Sequence, residues 1–130
     1  MSSDGRKVVL LAEDDPQQRE VLQEVLEYEG YQVLLASAPA EVLAQLGEGP
    51  DVVLLDVDGV TSPEVARALD SSKRPAIILV SADPGLPSIA RTLGADGYVS
   101  KPYDLEELLR GVGTLAGNGP GKLLSARAAR

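Results

Sequence analysis

The stretch Val52-Val53-Leu54-Leu55-Asp56 limits what this chain can fold into more than any other. Four consecutive apolar residues leave no polar face, so a strand made of them must be buried on both sides. Strands of that kind belong to parallel sheets covered by helices on each face. The run then ends on a carboxylate. Open α/β sheets hold their ligands at the carboxyl ends of the strands, so Asp56 is placed for chemistry and not for packing. An Asp after a strand also opens turns and caps helices, and the rest of the chain decides between these readings.

The same unit recurs along the sequence. Lys7-Val8-Val9-Leu10-Leu11-Ala12 is a second apolar run, ending on Glu13-Asp14-Asp15-Pro16. Asp15, with Pro16 at the first helical position and Gln18 at the third, predicts a capped helix start. Val21, Leu22, Val25 and Leu26 form its inward face, and Gly30 stops it. Tyr31 to Leu35 is the next strand, and Ala40 to Leu46 a short helix with Val42, Leu43 and Leu46 inward. After the central strand, Ser62-Pro63 opens a helix through Leu69. Pro75 to Val80 is the fourth strand, ending on Ser81, and Pro87 to Leu93 a helix closed by Gly94. Gly97-Tyr98-Val99-Ser100 is a short fifth strand leading into Lys101-Pro102. Asp104 and Glu107 cap a last helix that buries Leu105, Leu108, Leu109, Val112 and Leu115. Strands and helices alternate at near-constant spacing, which predicts α/β architecture: a five-stranded, doubly wound parallel sheet. Right-handed crossovers then bring every strand's end to one edge.

At 130 residues the chain fits one domain. Residues 1–6 are expected to be disordered, 7–116 to form the domain, and the glycine-rich 117–130 to be a linker or tail. The 20 acidic residues against 12 basic ones, a formal net charge of -8, argue against direct nucleic-acid binding. With no cysteine and no histidine, thiolate chemistry, structural zinc and the commonest general base are excluded. The sequence has no signal-peptide pattern and no apolar run near membrane-spanning length, so a cytoplasmic location is expected.

The strand ends carry the functional argument. The first supplies Glu13 and Asp14, the third Asp56, the fourth Ser81 and the fifth Lys101. On a parallel sheet these share one rim, and three adjacent carboxylates repel unless a cation joins them. Without His or Cys the natural ion is Mg²⁺, which takes oxygen ligands and couples to phosphate. Lys101 can hold a phosphoryl oxygen and Ser81 can donate to another. A carboxylate nucleophile in that company suggests phosphoryl transfer onto Asp56.

These residues resemble the receiver domain of two-component response regulators, from about Val8 to Leu115. The resemblance rests on the acid cluster after the first strand, Asp56 after the third, Ser81-Ala82 after the fourth, and Gly-Tyr-Val-Ser-Lys-Pro at 97–102. It implies a flavodoxin-like sheet in the order 2-1-3-4-5 and phosphorylation of Asp56 by a histidine kinase or phosphotransfer protein. It also implies Mg²⁺ held by Asp14, Asp56 and the backbone carbonyl of Asp58, with Glu13 acting through a bound water. Ser81 and Lys101 would contact the phosphoryl group, with a cis peptide before Pro102 aiming the lysine. Tyr98 would turn inward with Ser81 and carry the change to a protein partner, with self-association open.

One segment departs from the family. Receiver domains usually have an apolar residue and proline three and four positions after the phosphoacceptor, whereas here the run is Asp56-Val57-Asp58-Gly59-Val60-Thr61-Ser62-Pro63. The loop is about two residues short, so the following helix should begin early. The same run resembles the nucleophile motif of haloacid-dehalogenase-like phosphatases, with Asp58 as acid/base, which is the rival reading. A receiver-like interaction module that is never phosphorylated is a third. Asp58 and Asp83 would both flank the phosphoryl group, which predicts an altered phosphoryl lifetime.

Overall fold

The structure is a computed structural model that describes residues 5–118. Five parallel strands form a sheet in the order β2-β1-β3-β4-β5. The elements are β1 (Val8–Ala12), α1 (Pro16–Tyr28), β2 (Gln32–Ala36), α2 (Pro39–Leu46), β3 (Val52–Asp56), α3 (Val57–Val60), α4 (Pro63–Leu69), β4 (Ala76–Ser81), α5 (Leu86–Leu93), β5 (Gly97–Ser100) and α6 (Leu105–Asn118). The α/β class and strand order are those expected. Residues 1–4 and 119–130, most of the expected disordered start and tail, lie outside the described residues.

Because side chains alternate across a strand, each apolar run feeds two cores. Val9, Leu11, Val52, Leu54, Ile78 and Val80 face α1 and α6, where they meet Leu22, Leu26, Leu108, Val112 and Leu115. Leu10, Val53, Leu55, Ile77 and Leu79 face α2, α4 and α5, meeting Val42, Val65, Leu69, Leu86 and Ala90. β1 and β3 are buried along their whole length. A Leu to Ala change in such a strand costs about 2–5 kcal/mol.

Helix starts follow the local chemistry. The Asp15 carboxylate accepts from the Gln17 and Gln18 N–H groups ahead of α1, and the Ser62 hydroxyl accepts from Val65 N–H ahead of α4. Gly94 closes α5 in the left-handed conformation at φ 70°, which a residue without Cβ adopts cheaply.

Five expectations fail in detail. Val21 is 55% exposed, Leu43 38% and Leu105 36%, because each sits beside the seam that packs on the sheet. In α1 that seam is Leu22 and Leu26, one position round from Val21. The fourth is the segment after β3. It does not run as a loop to the next helix but forms the extra turn α3 at once. In addition, α6 continues through Gly117 and Asn118, past the break the glycines predict.

Candidate functional site

Parallel pairing puts the strand ends on one rim. Ala12 lies opposite Leu55 and Asp56 opposite Val80, while Ser81 lies opposite Ser100. The next residues along the chain, Glu13-Asp14 and Lys101, therefore flank Asp56 and Ser81 at this edge. The structure brings together all the side chains named for the phosphoacceptor site.

Asp56 is 3% exposed and has partners for both carboxylate oxygens. Lys101 Nζ lies 2.5 Å from Oδ2, and the Asp58 N–H donates to Oδ1 over 3.0 Å. A buried carboxylate needs such partners, since an unpaired one would cost several kcal/mol. Burial works against the charged form of Lys101, but its hydrogen bond and ion pair with Asp56 outweigh that and raise its pKa above the usual lysine value. The Lys101–Pro102 peptide bond is cis.

Glu13 is also buried, at 4% exposed, and its carboxylate accepts from the Asp15 N–H over 3.1 Å. Burial, reinforced by hydrogen bonding with Asp56 and by that group's negative charge, pushes the Glu13 pKa up to about 7. Carboxylate oxygens of Glu13, Asp14 and Asp56 all lie within 4.8 Å of one another. A trio this close, with no soft ligand, fits a hard divalent cation: a +2 charge would offset both the burial and the repulsion that raise the Glu13 pKa. The residues present therefore fit Mg²⁺.

Ser81 is fully buried. Its hydroxyl donates to Asp58 Oδ1 over 3.0 Å and accepts from the Asp83 N–H at the same distance. Asp83 turns its own carboxylate to the Gly85 N–H, so it shapes the loop. Asp58 enters the site by its N–H and carboxylate, inside the α3 turn that Asp56 caps. Tyr98 lies opposite Leu79 and packs, half-buried, on the core face shared with α5.

Three features of the rim were not foreseen. Gly59 leaves room for Asp14, whose carboxylate lies in the space a Cβ would fill. Arg19 Nη1 donates to the Glu13 carbonyl over 3.0 Å. Beside Lys101 opens a cavity of about 450 Å³ lined by Gln18, Ala82, Lys101, Pro102 and Tyr103. Of these only the glycine left a signal in the sequence, as part of Asp-x-Asp-Gly.

The family model for the response regulator receiver domain matches residues 9–112. This chain belongs to that family. Among curated relatives of the receiver domain, the uncharacterized transcriptional regulatory protein YkoG of Bacillus subtilis is 41% identical over 108 residues, which is 78% of this chain and 47% of YkoG. The transcriptional regulatory protein TrcR of Mycobacterium tuberculosis is 35% identical over 114 residues, 82% of this chain and 44% of TrcR. The chain thus spans about half the length of the curated relatives it matches. Among solved structures, the response regulator TrrA of Thermotoga maritima, in complex with Mg²⁺–BeF, superposes with a TM-score of 0.73 at 34% identity, covering 84% of this chain and 98% of TrrA. The receiver domain of TorR superposes at 0.75 with 28% identity, covering 86% and 98%. The receiver is a signalling domain of two-component systems.

The phosphatase reading of Asp56-Val57-Asp58-Gly59 is corrected by these findings. The match to receivers runs through the whole sheet, and Asp56 ends the third strand in chain order, whereas the phosphatase motif belongs on the first. Among the described residues no helix is long and apolar enough to cross a membrane.

Proposed function

We propose that Asp56 accepts a phosphoryl group from a phosphohistidine on a kinase or phosphotransfer protein, in a Mg²⁺-dependent reaction, and that the domain signals by the change of surface that follows. The observation that carries this is the pairing of Asp56 with Lys101 beside the carboxylates of Glu13 and Asp14. Asp14, Asp56 and the main-chain carbonyl of Asp58 would hold the metal, with Glu13 acting through water. Bound Mg²⁺ supplies charge neutralisation for the transferring group.

A carboxylate oxygen of Asp56 attacks phosphorus. The bond from phosphorus to the imidazole nitrogen breaks, and the leaving imidazole keeps the electron pair. Lys101 leaves its ion pair with Asp56 for a phosphoryl oxygen, and Ser81 donates to another. Tyr98 then follows Ser81 inward and alters the surface formed by α5 and α6. Attack of water on phosphorus later releases inorganic phosphate and restores the carboxylate. The domain catalyses only these steps on itself. We place it in the cytoplasm, acting through a downstream protein or through self-association and without direct contact to nucleic acid.

Incubation with a small acyl phosphate and Mg²⁺, followed by intact-mass measurement, tests the reading. One added phosphoryl group, absent in Asp56→Asn and absent without metal, is expected. No addition to the unaltered chain would overturn it.

A further inference from the structure

Asp14 is exposed, and among the described residues no hydrogen bond or ion pair holds its carboxylate. Yet that carboxylate keeps an oxygen within 4.8 Å of those of Glu13 and Asp56. What places it is contact with the α3 turn. A methyl group built on Gly59 would overlap the carboxyl carbon and both oxygens of Asp14. The glycine is not there for its backbone, since its φ is not positive, and glycine in a helical turn is otherwise a cost. Nor can the turn move aside freely. Asp56 caps it through the Asp58 N–H, and the Asp58 carboxylate is tied to Ser81.

We infer that Gly59 is a positioning residue for the metal centre: the missing Cβ makes a seat in α3 that holds the Asp14 carboxylate beside those of Glu13 and Asp56. The inference rests on the reading above that a divalent cation binds here, and it concerns how this chain aims one ligand toward it.

The test is calorimetric titration of Mg²⁺ into the full chain. Gly59→Ala must swing Asp14 off its seat, so its Kd should rise about 10- to 100-fold, the range seen when a supporting residue of a metal ligand is altered. Its melting temperature without metal should hold or rise slightly, because Asp14 can rotate into solvent and alanine favours the turn. In an Asp14→Ala background the added methyl group should change Kd by less than about twofold, since the two effects share one contact. An unchanged Kd in Gly59→Ala, or an equal loss in both backgrounds, would overturn the inference. Should Gly59→Ala fail to fold, restored folding in the double variant supports the seat, and continued failure refutes it. If the unaltered chain neither binds Mg²⁺ nor accepts a phosphoryl group, the reading under it fails first. If it does both and Gly59→Ala behaves the same, only the seat is wrong.

Discussion

Ser81 has one proton to give, and in the resting structure Asp58 takes it over 3.0 Å. For Ser81 to serve a phosphoryl oxygen, as proposed, it must abandon that acceptor, so Asp58 would oppose the phosphorylated state. A hydrogen bond to a charged group contributes about 1.5–3 kcal/mol net, and the lower end applies because Asp58 is exposed. Releasing about 1.4 kcal/mol of resting-state stabilisation shifts an equilibrium roughly tenfold. Asp58→Ala should therefore bind fluoroberyllate with Mg²⁺ about ten times more tightly than the unaltered chain and hold a phosphoryl group longer. Asp58→Asn keeps an acceptor but loses the charge, so it should fall between. Calorimetric titration gives the affinities, and loss of the phosphorylated species by intact mass gives the lifetime. The decisive comparison is a double-mutant cycle with Ser81→Ala, where no hydroxyl remains to be released. A coupling near zero in that cycle, or an affinity in Asp58→Ala no higher than in the unaltered chain, would refute the reasoning.

Two further changes probe the frame and the titrating acid. Asp96, 3% exposed, takes both guanidinium nitrogens of Arg74, at 2.7 and 3.1 Å, and the Ile77 N–H at 2.8 Å. Asp96→Ala takes the counter-charge from the arginine, which keeps the Pro75 and Gly94 carbonyls, and leaves the buried N–H unpaired. It should cost about 3 kcal/mol, lowering the melting temperature by roughly 10 °C or more in circular dichroism; a negligible shift would show the pair to be dispensable. Glu13 has a folded pKa of about 7 against an ordinary 4.5. Its contribution to stability is therefore fully present below pH 4.5 and lost as pH rises toward 7 and beyond. Metal-free Glu13→Gln should gain stability relative to the unaltered chain between pH 5 and 8, and saturating Mg²⁺ should favour the ionised acid and reverse that gain. Melting curves of both chains across pH 5 to 8, with and without Mg²⁺, check the sign, and a difference constant with pH would contradict it.

The parts of the fold visible in the letters are those where one physical requirement dominates. A fully apolar run such as Val52–Leu55 has one solution in a chain of this kind, and a polar residue at each strand's end marks the rim. Asp56, Glu13, Asp14, Ser81 and Lys101 could thus be assembled before any coordinate. The inward helix residues were harder, because Val21 and Leu43 obey the helical period and only the crossing of each helix over the sheet decides which side of the seam stays dry. The α3 turn was missed since four residues are too few for any period to show. Gly59 was noticed only as part of a phosphatase-like motif, because the sequence does not reveal which distant side chain comes to lie against it. Asp96, between Gly94-Ala95 and Gly97, reads as a turn former, and nothing local announces that Arg74 reaches back to it.

β3 lies between β1 and β4 in the middle of the sheet, with every residue from Val52 to Asp56 buried. The carboxylate proposed as acceptor is therefore mounted on an interior strand that is buried along its whole length. If Asp56 is phosphorylated as proposed, the displacement would be taken up by the parts around the strand: the α3 turn, the segment after β4, and the lysine after β5. The central strand serves as the fixed point from which the shifts of those loops are measured, and any message passed to another protein leaves through them.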